Sequence, residues 1–130
     1  MTVAVLVICH DRIAQVMVEV ACGVLEVMPM AVDVLSVFNG DDRDAVLQQA
    51  RQRVSALDQG DGVLVLTDMY GSTPANIAMA LSDSEQVRVV TGINLPMLIR
   101  VLNYPRLTLA ELVVKAVSGG RDGVFSCAER

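Results

Sequence analysis

Two stretches, residues 3–9 (VAVLVIC) and 62–67 (GVLVLT), are nearly unbroken apolar sequence rich in β-branched side chains. A strand with one wet face alternates, whereas a continuous run fits a strand buried on both faces at the centre of a parallel sheet. Residues 31–38 include Asp33 and Ser36, and residues 86–91 include Arg88, so these strands keep one partly wet side and flank the central pair. Residues 13–28 read as a helix that is apolar all round, except for Gln15, Glu19 and Glu26 on one stripe. Such a helix needs cover on more than one side. Residues 44–57 form a plainer amphipathic helix, with Val46, Leu47, Ala50, Val54 and Leu57 on one face.

Local punctuation supplies the remaining elements. Thr73 before Pro74 marks a capped short helix, and Asn94 before Leu95 and Pro96 marks another. Thr108 and Glu111 form a capping box that opens a last helix, which Gly119 and Gly120 are expected to stop. Residues 124–127 then read as a short edge strand. Strands and helices alternating at this pace imply right-handed βαβ units. The expected fold is an open, mainly parallel, doubly wound α/β sheet of order 2-1-3-4, with a short antiparallel C-terminal strand at its edge. Such a sheet changes winding direction between its first and third strands, and ligands bind at their carboxyl ends.

Length and composition narrow the function. A chain of 130 residues fits one domain over residues 1–130. Mean hydropathy is +0.50, yet no apolar run approaches the roughly 18 residues a membrane span needs, and no basic residue precedes the first run. A cytoplasmic protein without membrane insertion is expected. The net charge of −5, with scattered Arg and a single Lys115, argues against nucleic acid, as do two Phe, two Tyr and no Trp. Cys9, Cys22 and Cys127 are odd in number and include no CxxC pair, so they read as reduced thiols.

The candidate chemistry collects at the switch point. His10, the only histidine, ends the first strand, and Asp68 ends the third beside it. The stretch from Tyr70 through Gly71, Ser72, Thr73 and Pro74 to Asn76 is a turn running into a helix start, whose N–H groups and dipole favour an anion. One imidazole, one carboxylate and one anion cradle point to a phosphoryl group held on histidine. A neutral imidazole has a free lone pair near pH 7 and needs no general base to attack phosphorus. It does need the right tautomer, which a carboxylate accepting one ring N–H provides.

Cys9-His10 after the first strand, residues 67–76 (TDMYGSTPAN) and residues 91–98 (TGINLPML) together resemble the IIA domain of the mannose-type bacterial sugar phosphotransferase system. The resemblance spans nearly the whole chain, with the motifs in order and at the right spacing. It implies that His10 accepts a phosphoryl group from the phosphocarrier HPr and passes it to a IIB component during sugar uptake. It further implies Asp68 as the hydrogen-bonding partner of His10, with Gly71, Ser72 and Thr73 at the phosphate. No cofactor or metal is implied, and the protein is expected to stand free of a IIB segment. A homodimer that exchanges the C-terminal strand is expected, both from the resemblance and because the first helix has too narrow a polar stripe for a monomer surface. Two departures from the family pattern stand out. Asp11 occupies a position usually held by a small residue, where a carboxylate beside a phosphohistidine is unfavourable unless it points away, and Ser72 replaces a frequent glycine.

The competing readings are weaker. A Ser72-His10-Asp68 hydrolase triad lacks the GxSxG elbow. A metal site lacks a second histidine, and strand alternation sets Cys9 opposite His10. A receiver domain lacks the acidic cluster after the first strand and a well-placed lysine, and the related dihydroxyacetone kinase subunit fits the 71–76 stretch less well. The alternative within the same family is a regulatory IIA, whose phosphorylation state signals to a partner protein without sugar transport.

Overall fold

The computed structural model describes residues 2–128, so the first residue and the last two of the expected 1–130 domain lie outside the described residues. The strands are β1 (Ala4–His10), β2 (Val32–Val37), β3 (Val63–Thr67) and β4 (Val87–Val90). The helices are α1 (Ile13–Leu25), α2 (Arg43–Leu57), α3 (Thr73–Ala80), α4 (Leu95–Leu102) and α5 (Leu109–Asp122), with a 3-10 turn at Leu81–Asp83 after α3. All strand pairs are parallel, and the order is β2-β1-β3-β4.

The continuous apolar runs are central for the expected reason. Val5, Val7, Leu64 and Leu66 pack under α1, α4 and α5 on one face, while Leu6, Ile8, Val63 and Val65 pack under α2 and α3 on the other. With helices on both faces, no position on β1 or β3 needs to be polar until the strands end. The α2 face forms as read, with Val46 and Ala50 buried and Leu47, Val54 and Leu57 partly buried against the sheet. Asn94 caps α4 by accepting from Met97 N at 2.9 Å, and the Thr108–Glu111 capping box is complete.

Four expectations change. The first helix ends at Leu25 instead of residue 28, because Glu26 turns left-handed (φ 65°) and donates to Cys22 O at 2.9 Å, with Pro29 close behind. The cap of α3 is Ser72, and Thr73 is the first helical residue. Gly119 and Gly120 do not stop α5, which runs on to Asp122. They are small because α4 crosses there: a Cβ on Gly119 would lie 2.8 Å from Arg100 Cβ, and one on Gly120 would lie 2.8 Å from Met97 Cε. Finally, residues 124–127 form no strand in the single chain. A strand needs a neighbouring strand for its backbone groups, and these exposed residues follow α5 outside the four-stranded sheet, with Val124 N donating to Arg121 O at 3.1 Å.

Candidate functional site

β1 alternates its side chains, so Cys9 points into the core beneath α1 and α4 while Ile8 and His10 face α2 and α3. Burial, followed by the nearby Asp68 charge, pushes the Cys9 thiol up to about 12. Cys9 and His10 therefore face opposite sides of the sheet. Among the described residues no His, Cys, Asp and Glu cluster could hold a metal ion.

His10 and Asp68 meet as the strand order requires. Asp68 Oδ2 accepts from His10 N at 2.9 Å and lies 2.8 Å from His10 Nδ1, while Asp68 Oδ1 accepts from Met69 N at 2.9 Å. Burial raises the carboxyl pKa, but the bonds from His10 backbone, His10 ring and Met69 outweigh it, and Asp68 is held below its ordinary range. An ionised carboxylate can only accept, so Nδ1 carries the ring proton. In the neutral imidazole Nε2 then keeps its lone pair. The exposure is split usefully, since the Asp68 side chain is 15% accessible and that of His10 is 43%. The carboxylate is shielded and the imidazole is open.

The loops complete the surroundings. Gly92 N donates to Asp68 O at 2.7 Å and Ile93 N to Thr67 O at 3.0 Å, so the 91–98 motif anchors the end of β3 and does not itself line the cleft at His10. A cleft of about 290 Å³ opens beside the imidazole, between the β2–α2 loop and the start of α3. Thr73 lines it with His10; Gly71 and Ser72 do not. Gly71 adopts φ +84°, a left-handed turn that suits glycine, and Ser72 directs both its N–H (3.1 Å) and its hydroxyl (2.5 Å) to Met69 O. Asp11, left-handed at φ 49°, is exposed and lines a groove with Ile13 and Leu95, not the His10 cleft. The opposite wall of the cleft, including Phe38, Asn39, Asp41 and Arg43, was missed by motif reading. The strand order held the signal, because β2 neighbours β1 and its C-terminal loop must stand beside His10.

Fold and site together define a class: a doubly wound α/β protein that presents one oriented imidazole in an open cleft at its topological switch point. The family described as PTS system fructose IIA component matches residues 4–117. The chain belongs to that family of IIA components of the sugar phosphotransferase system. It is 34% identical over 88 residues to the PTS system mannose-specific EIIAB component of Escherichia coli (strain K12), an alignment covering 65% of this chain and 27% of that protein. The chain thus spans about a quarter of the length of the first curated relatives it matches. The PTS system fructose-specific EIIA component of Bacillus subtilis (strain 168) is 29% identical over 94 residues, 71% of this chain and 64% of that protein. Among solved structures, the mannose/sorbose specific IIA subunit from Enterococcus faecalis superposes with a TM-score of 0.86 at 25% identity, covering 97% of this chain and 95% of its own. The EIIA component from Streptococcus agalactiae shares the fold over 100% of both chains, with a TM-score of 0.84 at 21% identity.

Proposed function

We propose that this chain is a single-domain phosphocarrier, with His10 accepting a phosphoryl group from phospho-HPr and donating it to a IIB component during sugar uptake. The observation that carries this reading is the 2.8 Å Nδ1–Asp68 contact, which supports the tautomer whose Nε2 bears the lone pair in the neutral ring. In the first transfer, the Nε2 lone pair forms a bond to phosphorus as the N–P bond in phospho-HPr breaks, and the electron pair of that bond stays on the HPr imidazole. Positive charge develops on His10 and is stabilised by Asp68. In the second transfer, the Nε2–P bond breaks toward the IIB acceptor and the lone pair returns to Nε2. Leaving groups of similar ability make the steps reversible without a metal from this protein.

Thr73 is the phosphate contact in this reading. Its N–H has no protein acceptor among the described residues, and it stands in the first turn of α3, where the helix dipole favours an anion. Gly71 shapes the turn. Ser72 must release Met69 O before its hydroxyl can donate to phosphate. Incubation with phosphoenolpyruvate, enzyme I and HPr should add one acid-labile phosphoryl group. Equal labelling of His10→Ala refutes the assignment.

The carrier is further proposed to be a homodimer. Two surfaces support this: the uncovered α1 face bearing Val16, Val20 and Val24, and the open edge of β4. Along that edge runs a groove of about 610 Å³, lined in part by Val90, Asn94, Val117 and Val124. Residues 124–127 of a second copy would find unpaired backbone there. Sedimentation at micromolar concentration should give a dimer, weakened by deleting residues 123–130; a monomer of 13.9 kDa contradicts the proposal.

A further inference from the structure

The wall of the cleft opposite α3 brings to His10 a positive charge that none of the matched motifs contains. Arg43, the first residue of α2, lines the same cleft as His10 and Thr73. It has no ion pair and no side-chain hydrogen bond among the described residues, whereas Arg51, Arg53 and Arg100 are each paired with an aspartate. Three of the carboxylates around the cleft are engaged elsewhere. Asp41 accepts from Phe38 N at 2.9 Å, Asp42 accepts from Asp44 N as the cap of α2, and Asp68 is bound to His10. The residue is exposed, and its guanidinium has no acceptor to leave before it pairs with an anion in the cleft.

The charge balance shows what it is suited to hold. The β2–α2 loop contributes Asp41 to the cleft lining, and Asp68, which follows β3, sits against His10, in a protein of net charge −5. A phosphoryl group on Nε2 would add about 1.5 to 2 negative charges to that setting. Arg43 is the one cation lining the cleft, and the planar guanidinium fork matches two phosphoryl oxygens at once. We propose that Arg43 is a phosphoryl-binding residue of the cleft, pairing with the phosphoryl oxygens on His10 Nε2 opposite Thr73. The inference rests on the reading of His10 as the phosphorylated residue.

The single histidine allows a test that needs no partner protein. Phosphoramidate transfers its phosphoryl group to imidazole with loss of ammonia, so it loads His10 chemically. Phosphorus NMR then follows the second ionisation of the bound phosphoryl group in wild type, Arg43→Gln and Arg43→Lys. A cation in contact favours the dianion, so Arg43→Gln should raise that pKa by about one unit, and Arg43→Lys should keep part of the difference. Arg106→Gln, which removes the same charge near Thr2 and Asp61 at the far end of the strands, should leave it unchanged. The equilibrium for transfer from phospho-HPr should also fall about tenfold in Arg43→Gln. Identical titrations of wild type and Arg43→Gln overturn the proposal, as does equal movement in Arg106→Gln. Failure of phosphoramidate to load His10 overturns it together with the carrier reading. An Arg43-dependent pKa in protein that phospho-HPr does not label would sustain this inference and refute the carrier reading alone.

Discussion

Asp68→Asn separates orientation from architecture. One oxygen, Oδ2, serves both His10 N (2.9 Å) and Nδ1 (2.8 Å), and the other serves Met69 N (2.9 Å). The carboxamide cannot satisfy all of these. With its oxygen toward His10, the NH₂ group faces the N–H of Met69, donor against donor. With its NH₂ toward His10, Nδ1 must become an acceptor, which moves the ring proton to Nε2 and removes the attacking lone pair. Either arrangement also removes the negative charge that stabilises the developing imidazolium. Loss of such a transition-state interaction corresponds to roughly 2.7 to 4 kcal/mol, or about 100- to 1,000-fold in transfer rate. Stability should fall as well, by about 1 to 3 kcal/mol at neutral pH, since hydrogen bonds to a charged group are lost. The sign with pH follows from the carboxyl being held below its ordinary value of 3.8 in the folded chain. Its stabilising contribution is present above the unfolded value and is lost as pH falls through the folded one. The wild-type advantage over Asp68→Asn should therefore shrink under acid conditions below about pH 4. Rapid-quench transfer from phospho-HPr measures the rate, urea melts measure the stability, and long-range proton–nitrogen NMR of the sole histidine reads the tautomer. An unchanged tautomer with a comparable rate would refute the orienting role.

The other predictions concern the core and the helix crossing. With its thiol pushed up to about 12, Cys9 should resist iodoacetamide at pH 8 in the native state while the exposed Cys22 reacts; peptide mapping that finds Cys9 modified in folded protein would contradict its placement. Gly119→Ala should destabilise by about 1 to 3 kcal/mol despite better helix propensity, because the Arg100 Cβ it meets at 2.8 Å belongs to the packed helix α4. Gly120→Ala should cost less, since the flexible end of Met97 can move aside, and chemical denaturation of both variants should preserve that order.

What the chain states locally is burial. Continuous apolar runs over β1 and β3 identified strands covered on both faces, and from them came the strand order, the switch point and the placing of His10 beside Asp68. Side-chain alternation alone was enough to separate Cys9 from His10. Other features have no local signature. Gly119 and Gly120 look like a helix stop, because a missing Cβ reads the same in sequence whether it permits a turn or lets α4 approach; only the crossing distinguishes the two. Thr73 and Ser72 are both cap residues by type, and the turn at Met69 decides which becomes the cap. Residues 124–127 are apolar enough for a strand, yet strand formation belongs to a pair and not to a segment. Arg43 lies 33 positions from His10 by the numbering and joins it only because β2 lies beside β1 and its loop folds over the strand end. Periodicity records which side of an element is dry, while the meeting of loop residues depends on how separate elements pack, and that is a property of the assembled fold.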